Sequence, residues 1–107
     1  MCIRDSYEVA RVTPRLGDRL ELGLHFESRT PDDNHHLLTG FQTCLMEVKH
    51  ALGDTIEAEL WDRGWTKVYE TLPLAPYSPT YLDSVARRLA EVARVLHPIY
   101  MALRRGE

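Results

Sequence analysis

From Arg19 to Glu27 the chain alternates without a break: Leu20, Leu22, Leu24 and Phe26 fall on one side, and Arg19, Glu21, Gly23, His25 and Glu27 on the other. A two-residue period of this kind predicts a strand with one face in a core. Tyr7 to Val12 predicts a partner strand, joined through Thr13 to Asp18, where Pro14 and Gly17 suit a turn. The period then changes. Leu37, Leu38, Phe41, Cys44, Leu45, Val48 and Leu52 recur at steps of three and four, which predicts one helix from Thr30 to Leu52. Thr30 stands where a cap is needed, Pro31 suits the first helical position, and Asp32 and Asp33 favour the positive end of the helix dipole. Gly53 supplies the stop, and Gly40, inside the stripe, marks a close approach.

Residues 55–72 predict a β-hairpin. A three-residue loop, Asp62-Arg63-Gly64, ends in the glycine that a left-handed position requires. Trp61 and Trp65 then become cross-strand neighbours. Stepping back from the turn pairs Glu59 with Lys67 and Glu57 with Tyr69 on one face, with Ile56, Ala58, Leu60 and Val68 on the other. A connector with Pro73, Pro76 and Pro79 follows, and Ser78 and Pro79 open a last helix. Tyr81, Leu82, Val85, Leu89, Val92, Leu96, Ile99, Tyr100 and Leu103 give its apolar stripe, and Pro98 predicts a kink or restart.

The element order is (β)β-α-ββ-α. One apolar sheet face and two helices with one apolar stripe each predict an α+β two-layer sandwich, its sheet mainly antiparallel and both helices on one face. The other face is then expected to be open and to show Arg19, Glu21, His25, Glu27, Glu57, Glu59, Trp61, Trp65, Lys67 and Tyr69.

At 107 residues the chain fits a single domain, here residues 7–107. The leading Met-Cys-Ile-Arg-Asp-Ser lacks the apolar segment of a signal peptide. It resembles the translated sequencing-adapter read found at the front of proteins from metagenomic assemblies, so residues 1–6 are expected to be non-native. A net charge of −3 argues against nucleic acid as the main partner, and no run is long enough to span a bilayer. Cys2 and Cys44 make no disulfide framework, which predicts a reducing cytoplasm.

On the outer face two readings compete. Trp61 and Trp65 staple the turn, or Trp61, Arg63, Trp65, Lys67 and Tyr69 form a patch that binds a protein partner or a second copy, as in a homodimer. His25, Glu27, Glu57 and Glu59 offer imidazole and carboxylate donors for a divalent ion or a hydrolytic site. Glu47-Val48-Lys49 has the spacing of a nuclease Glu-x-Lys but lies mid-helix, away from any strand that would aim both at one metal-bound water. Arg87, Arg88, Arg94, Arg104 and Arg105 are candidates for phosphate contact. No glycine-rich phosphate loop and no nucleophile pair stands out, so no catalytic residue and no cofactor is expected.

From "ELGLHFES" through "IEAELW" and "WTKVYETL" to "VLHPIY", element order and patterning resemble an uncharacterised small domain found at the C-terminal end of restriction-nuclease-like proteins. The resemblance implies an accessory module. It carries over no functional residue.

Overall fold

The computed structural model describes residues 5–12, 18–61 and 64–106. Four strands, β1 (Asp5–Val12), β2 (Arg19–Phe26), β3 (Glu57–Leu60) and β4 (Thr66–Pro73), form one antiparallel sheet in the order β1-β2-β4-β3. Three helices, α1 (Pro31–Thr43), α2 (Leu45–Leu52) and α3 (Pro79–Arg104), form the second layer. This is the expected α+β architecture. The turn expected over Thr13 to Gly17 and the loop residues Asp62 and Arg63 lie outside the described residues.

Strand β2 is the spine of the sheet. Its alternation buries Leu20, Leu22, Leu24 and Phe26 against the helices, and Leu24 faces Tyr7 on one side and Val68 on the other. Phe41 stacks on Phe26 with ring centroids 5.7 Å apart, and Leu37, Val48, Ile56, Val92 and Leu96 complete a core from which water is excluded. At about 25 cal/mol per Å² of apolar surface, burial of these side chains is the main term holding the two layers together.

The hairpin register is the expected one: Glu57 faces Tyr69, Ala58 faces Val68 and Glu59 faces Lys67. Gly64 takes φ +78°, and Trp61 N–H donates to the Trp65 carbonyl at 2.8 Å. Gly40 packs so tightly on α3 that a Cβ there would lie 2.3 Å from a Leu103 methyl.

Four details differ from expectation. The predicted helix from Thr30 to Leu52 is two helices, broken at Cys44, where φ is −107° and ψ is 18°. Thr43 Oγ1 donates to the Thr39 carbonyl and Cys44 Sγ to the Gly40 carbonyl, and side-chain donors competing for the preceding turn bend helices. Conversely α3 does not restart at Pro98 but runs through it as one 26-residue helix. Pro98 and Arg94 both lie on its exposed side, where water can satisfy the carbonyl that proline frees. Thr30 does not cap α1 through its side chain, whereas Ser78 Oγ accepts from Tyr81 N–H at 3.1 Å as expected. Leu60, assigned to the core face, sits at the sheet margin and is 56% exposed.

Two buried polar residues hold the layers in register. Asn34 accepts from Ser28 N–H and donates to the carbonyls of Ser28 and Gly64, while its own carbonyl accepts from Thr66 Oγ1. Glu70, on the core face of β4, is paired with Arg88 of α3 and accepts from Thr55 Oγ1 at 2.8 Å. Arg88 also donates to the Leu52 carbonyl, so this candidate phosphate contact is a strut between sheet and helices. Arg87 is paired with Asp83 on the same helix.

Candidate functional site: the outer face of the sheet

Period-two alternation puts Glu21, Gly23 and His25 of β2, with Glu27 just beyond it, on the face that carries no helix. Lys67 and Tyr69 of β4 stand beside them, and Glu8 of β1 faces Gly23. This face was expected to be open. Its centre is closed: His25 is 3% exposed and Glu21 5%.

The closure comes from side chains of the sheet itself. The Trp61 ring lies 4.9 Å from the His25 ring, and Trp65 tilts against Trp61 at 5.5 Å. The Lys67 ammonium sits 4.2 Å from the centre of the Tyr69 ring and 5.3 Å from that of Trp61, a favourable place for a cation over a π face. Gly23 makes room for this, because a Cβ there would fall 2.2 Å from the Val68 carbonyl and 2.7 Å from Tyr69 Cα. No other residue lets these backbones approach so closely.

Underneath runs a chain of charged contacts. Lys67 Nζ donates to Glu21 Oε1 at 2.6 Å, and Glu21 Oε2 meets His25 Nε2 at 3.2 Å. On the other side of the imidazole, Nδ1 faces Glu8 Oε2 at 3.2 Å and Glu27 Oε2 at 3.4 Å. Neither oxygen lies in hydrogen-bond geometry with that nitrogen, so Nδ1 is a buried polar atom without a hydrogen bond. Burial alone pulls the imidazole pKa down; the Glu21 hydrogen bond and the Glu8 charge outweigh it and hold it above the ordinary value. Burial pushes the Glu21 carboxyl up, but the hydrogen bonds from His25 and Lys67 hold it below the usual carboxylate range. The Tyr69 hydroxyl is pushed well above its ordinary value by burial and by its bond to Glu59.

The metal-donor set read from the sequence is therefore divided. His25 and Glu27 converge, together with Glu8, and their donor atoms all lie within 4.8 Å of one another. Glu57 and Glu59 do not join them. Strand β4 lies between β2 and β3, which separates those strands by roughly 9–10 Å at the usual inter-strand spacing. Glu59 takes the Tyr69 hydroxyl and Glu57 takes Lys49 at 2.8 Å. Glu8 was absent from the sequence-based set, although alternation along β1 puts it on this face once β1 is known to flank β2.

The binding set also narrows. Lys67, with 13% of its side chain exposed, and the half-buried Tyr69 support the face rather than present themselves on it. Trp61, 41% exposed, remains accessible next to Leu60. Arg63 lies outside the described residues. The free margin of β3 is blunted: Trp61 bonds back to Trp65, so alternate residues turn their backbone groups outward, and Gln42 donates to the Ala58 carbonyl at 3.3 Å and Lys49 to the Ile56 carbonyl at 2.8 Å.

No family model, curated protein or solved structure matches the chain.

Proposed function

We propose that the domain is a non-enzymatic binding or assembly module that engages a protein partner, or a second copy of itself, through the hairpin end of its outer sheet face. The observation that carries this reading is the accessible Trp61 ring, immobilised between Trp65, His25 and Lys67 and adjoining exposed Leu60. An aromatic side chain already fixed in place loses little entropy when a partner covers it, and tryptophan is among the residues that dominate interface energetics. Because the outward carbonyls of Ile56, just before β3, and of Ala58 within it are occupied by Lys49 and Gln42, contact through side chains is favoured over addition of a strand.

The polar groups of the face support binding over catalysis. Lys67, Tyr69, Glu21 and Glu59 are committed to one another or to neighbours. The cavity lined by His36, Leu37 and Leu103 lies in the helical layer, on the other side of the sheet. An accessory role agrees with the resemblance to the domain at the end of nuclease-like proteins. Cys44 is a free, half-buried thiol, which suits the reducing cytoplasm in which we place the domain. No helix among the described residues is long and apolar enough to cross a membrane.

Light scattering over a concentration series, beside affinity capture with mass-spectrometric identification, tests this reading on wild type and Trp61→Ala. Either a wild-type dimer or a captured protein should be lost in the variant, while its melting temperature changes little. Identical behaviour of the two proteins in both assays removes the proposal.

A further inference from the structure

The geometry points to a second site on the same face: Glu8, His25 and Glu27 form a three-ligand centre for a divalent transition-metal ion of the size of zinc. It is independent of whether Trp61 binds a partner.

Two carboxylates alone would show only an acidic surface. The decisive atom is His25 Nδ1, buried with its ring, aimed between Glu8 and Glu27 and without a hydrogen bond. A buried donor or acceptor left unpaired is costly, and a cation between the imidazole and the two carboxylates would satisfy it. The spacing agrees. A tetrahedral ion with ligands at about 2.0–2.1 Å sets neighbouring ligand atoms roughly 3.3 Å apart. Nδ1 stands 3.2 Å from Glu8 Oε2 and 3.4 Å from Glu27 Oε2.

The surroundings are those a metal-bound histidine needs. Such a ligand usually gives its second ring N–H to a carboxylate, which fixes the tautomer and turns the other lone pair to the ion. Here Glu21 takes Nε2 at 3.2 Å and is itself held by Lys67. Charge agrees as well: Glu8, Glu21 and Glu27 outnumber the single Lys67 ammonium, an excess of negative charge that a divalent ion offsets. One nitrogen and two oxygen donors suit zinc and its first-row neighbours better than calcium, which takes six to eight oxygens at longer distances. Glu8, 40% exposed, gives the ion a path from solvent and leaves the fourth position to water.

Cobalt(II) serves as the spectroscopic probe and zinc as its competitor, with untagged full-length protein. One equivalent of cobalt should give the intense visible bands of a tetrahedral centre, and zinc should abolish them. Glu8→Gln and Glu27→Gln should each remove the bands while the metal-free melting curve stays cooperative, which separates loss of a ligand from loss of the fold. Glu21→Gln should keep the tetrahedral spectrum but weaken binding roughly 10–100-fold. Absence of binding would mean that His25 is held as an imidazolium by its carboxylates, and would overturn the assignment. So would an octahedral spectrum, or bands that survive both ligand substitutions.

Discussion

At the scale of single residues, Asn34 carries more of the fold than its polarity suggests. Its amide joins the segment after β2 to the hairpin turn, and its backbone carbonyl holds Thr66, so one side chain fixes the angle at which the tryptophan hairpin meets α1. Asn34→Ala removes three hydrogen bonds and strands their buried partners. We expect a loss of about 3 kcal/mol, since a net bond contributes roughly 1 kcal/mol and an orphaned buried group adds to the cost. Urea titration measures it, and tryptophan emission should shift to the red as the hairpin loosens. His25 and Glu27 were legible as neighbours because alternation along one strand fixes which side each side chain takes. Asn34 was not legible: nothing in a helical repeat distinguishes a buried asparagine from a solvated one until the loop above it is placed.

At the scale of elements, the hairpin register followed from loop length and glycine position, and it placed Glu59 against Lys67 before any long-range contact was considered. Strand order did not follow in that way. Periodicity says which face a residue takes but not which strand lies beside which, so Glu57 and Glu59 were grouped with His25 although β4 separates them. The break at Cys44 was hidden for a related reason, because the apolar stripe keeps step across it. Helix α3 makes the opposite point, since burial of Val85, Val92 and Leu96 sustains a helix that proline alone would interrupt. Pro98→Ala should restore the missing backbone bond without disturbing the core and stabilise the protein by about 2 kcal/mol. Differential scanning calorimetry should show a higher melting temperature.

At the scale of the whole molecule, the Glu70–Arg88 pair joins the two layers. Burial pushes the Glu70 carboxyl up, yet hydrogen bonds from Arg88 and Thr55 outweigh it and hold it below its ordinary value of 4.5. The unfolded chain therefore takes up the proton first. The pair's contribution is complete above about pH 4.5 and is lost as the pH falls through the folded-state value. Glu70→Gln should cost about 2 kcal/mol at neutral pH, because it leaves the partly buried Arg88 with only the more exposed Glu91 as counter-charge. The difference between wild type and variant should shrink as the pH is lowered below 4.5, which chemical denaturation at a series of pH values would follow.

The side chains that occupy the margin of β3 bear on how the protein behaves in a crowded solution. Bare strand edges template the stacking of chains into fibrils, and here that edge runs into Leu60 and Trp61, an apolar end that would favour such growth. With Gln42 and Lys49 already bonded to its outward carbonyls, an arriving strand must first displace them. The domain can thus leave Leu60 and Trp61 exposed while discouraging strand-to-strand growth along this edge.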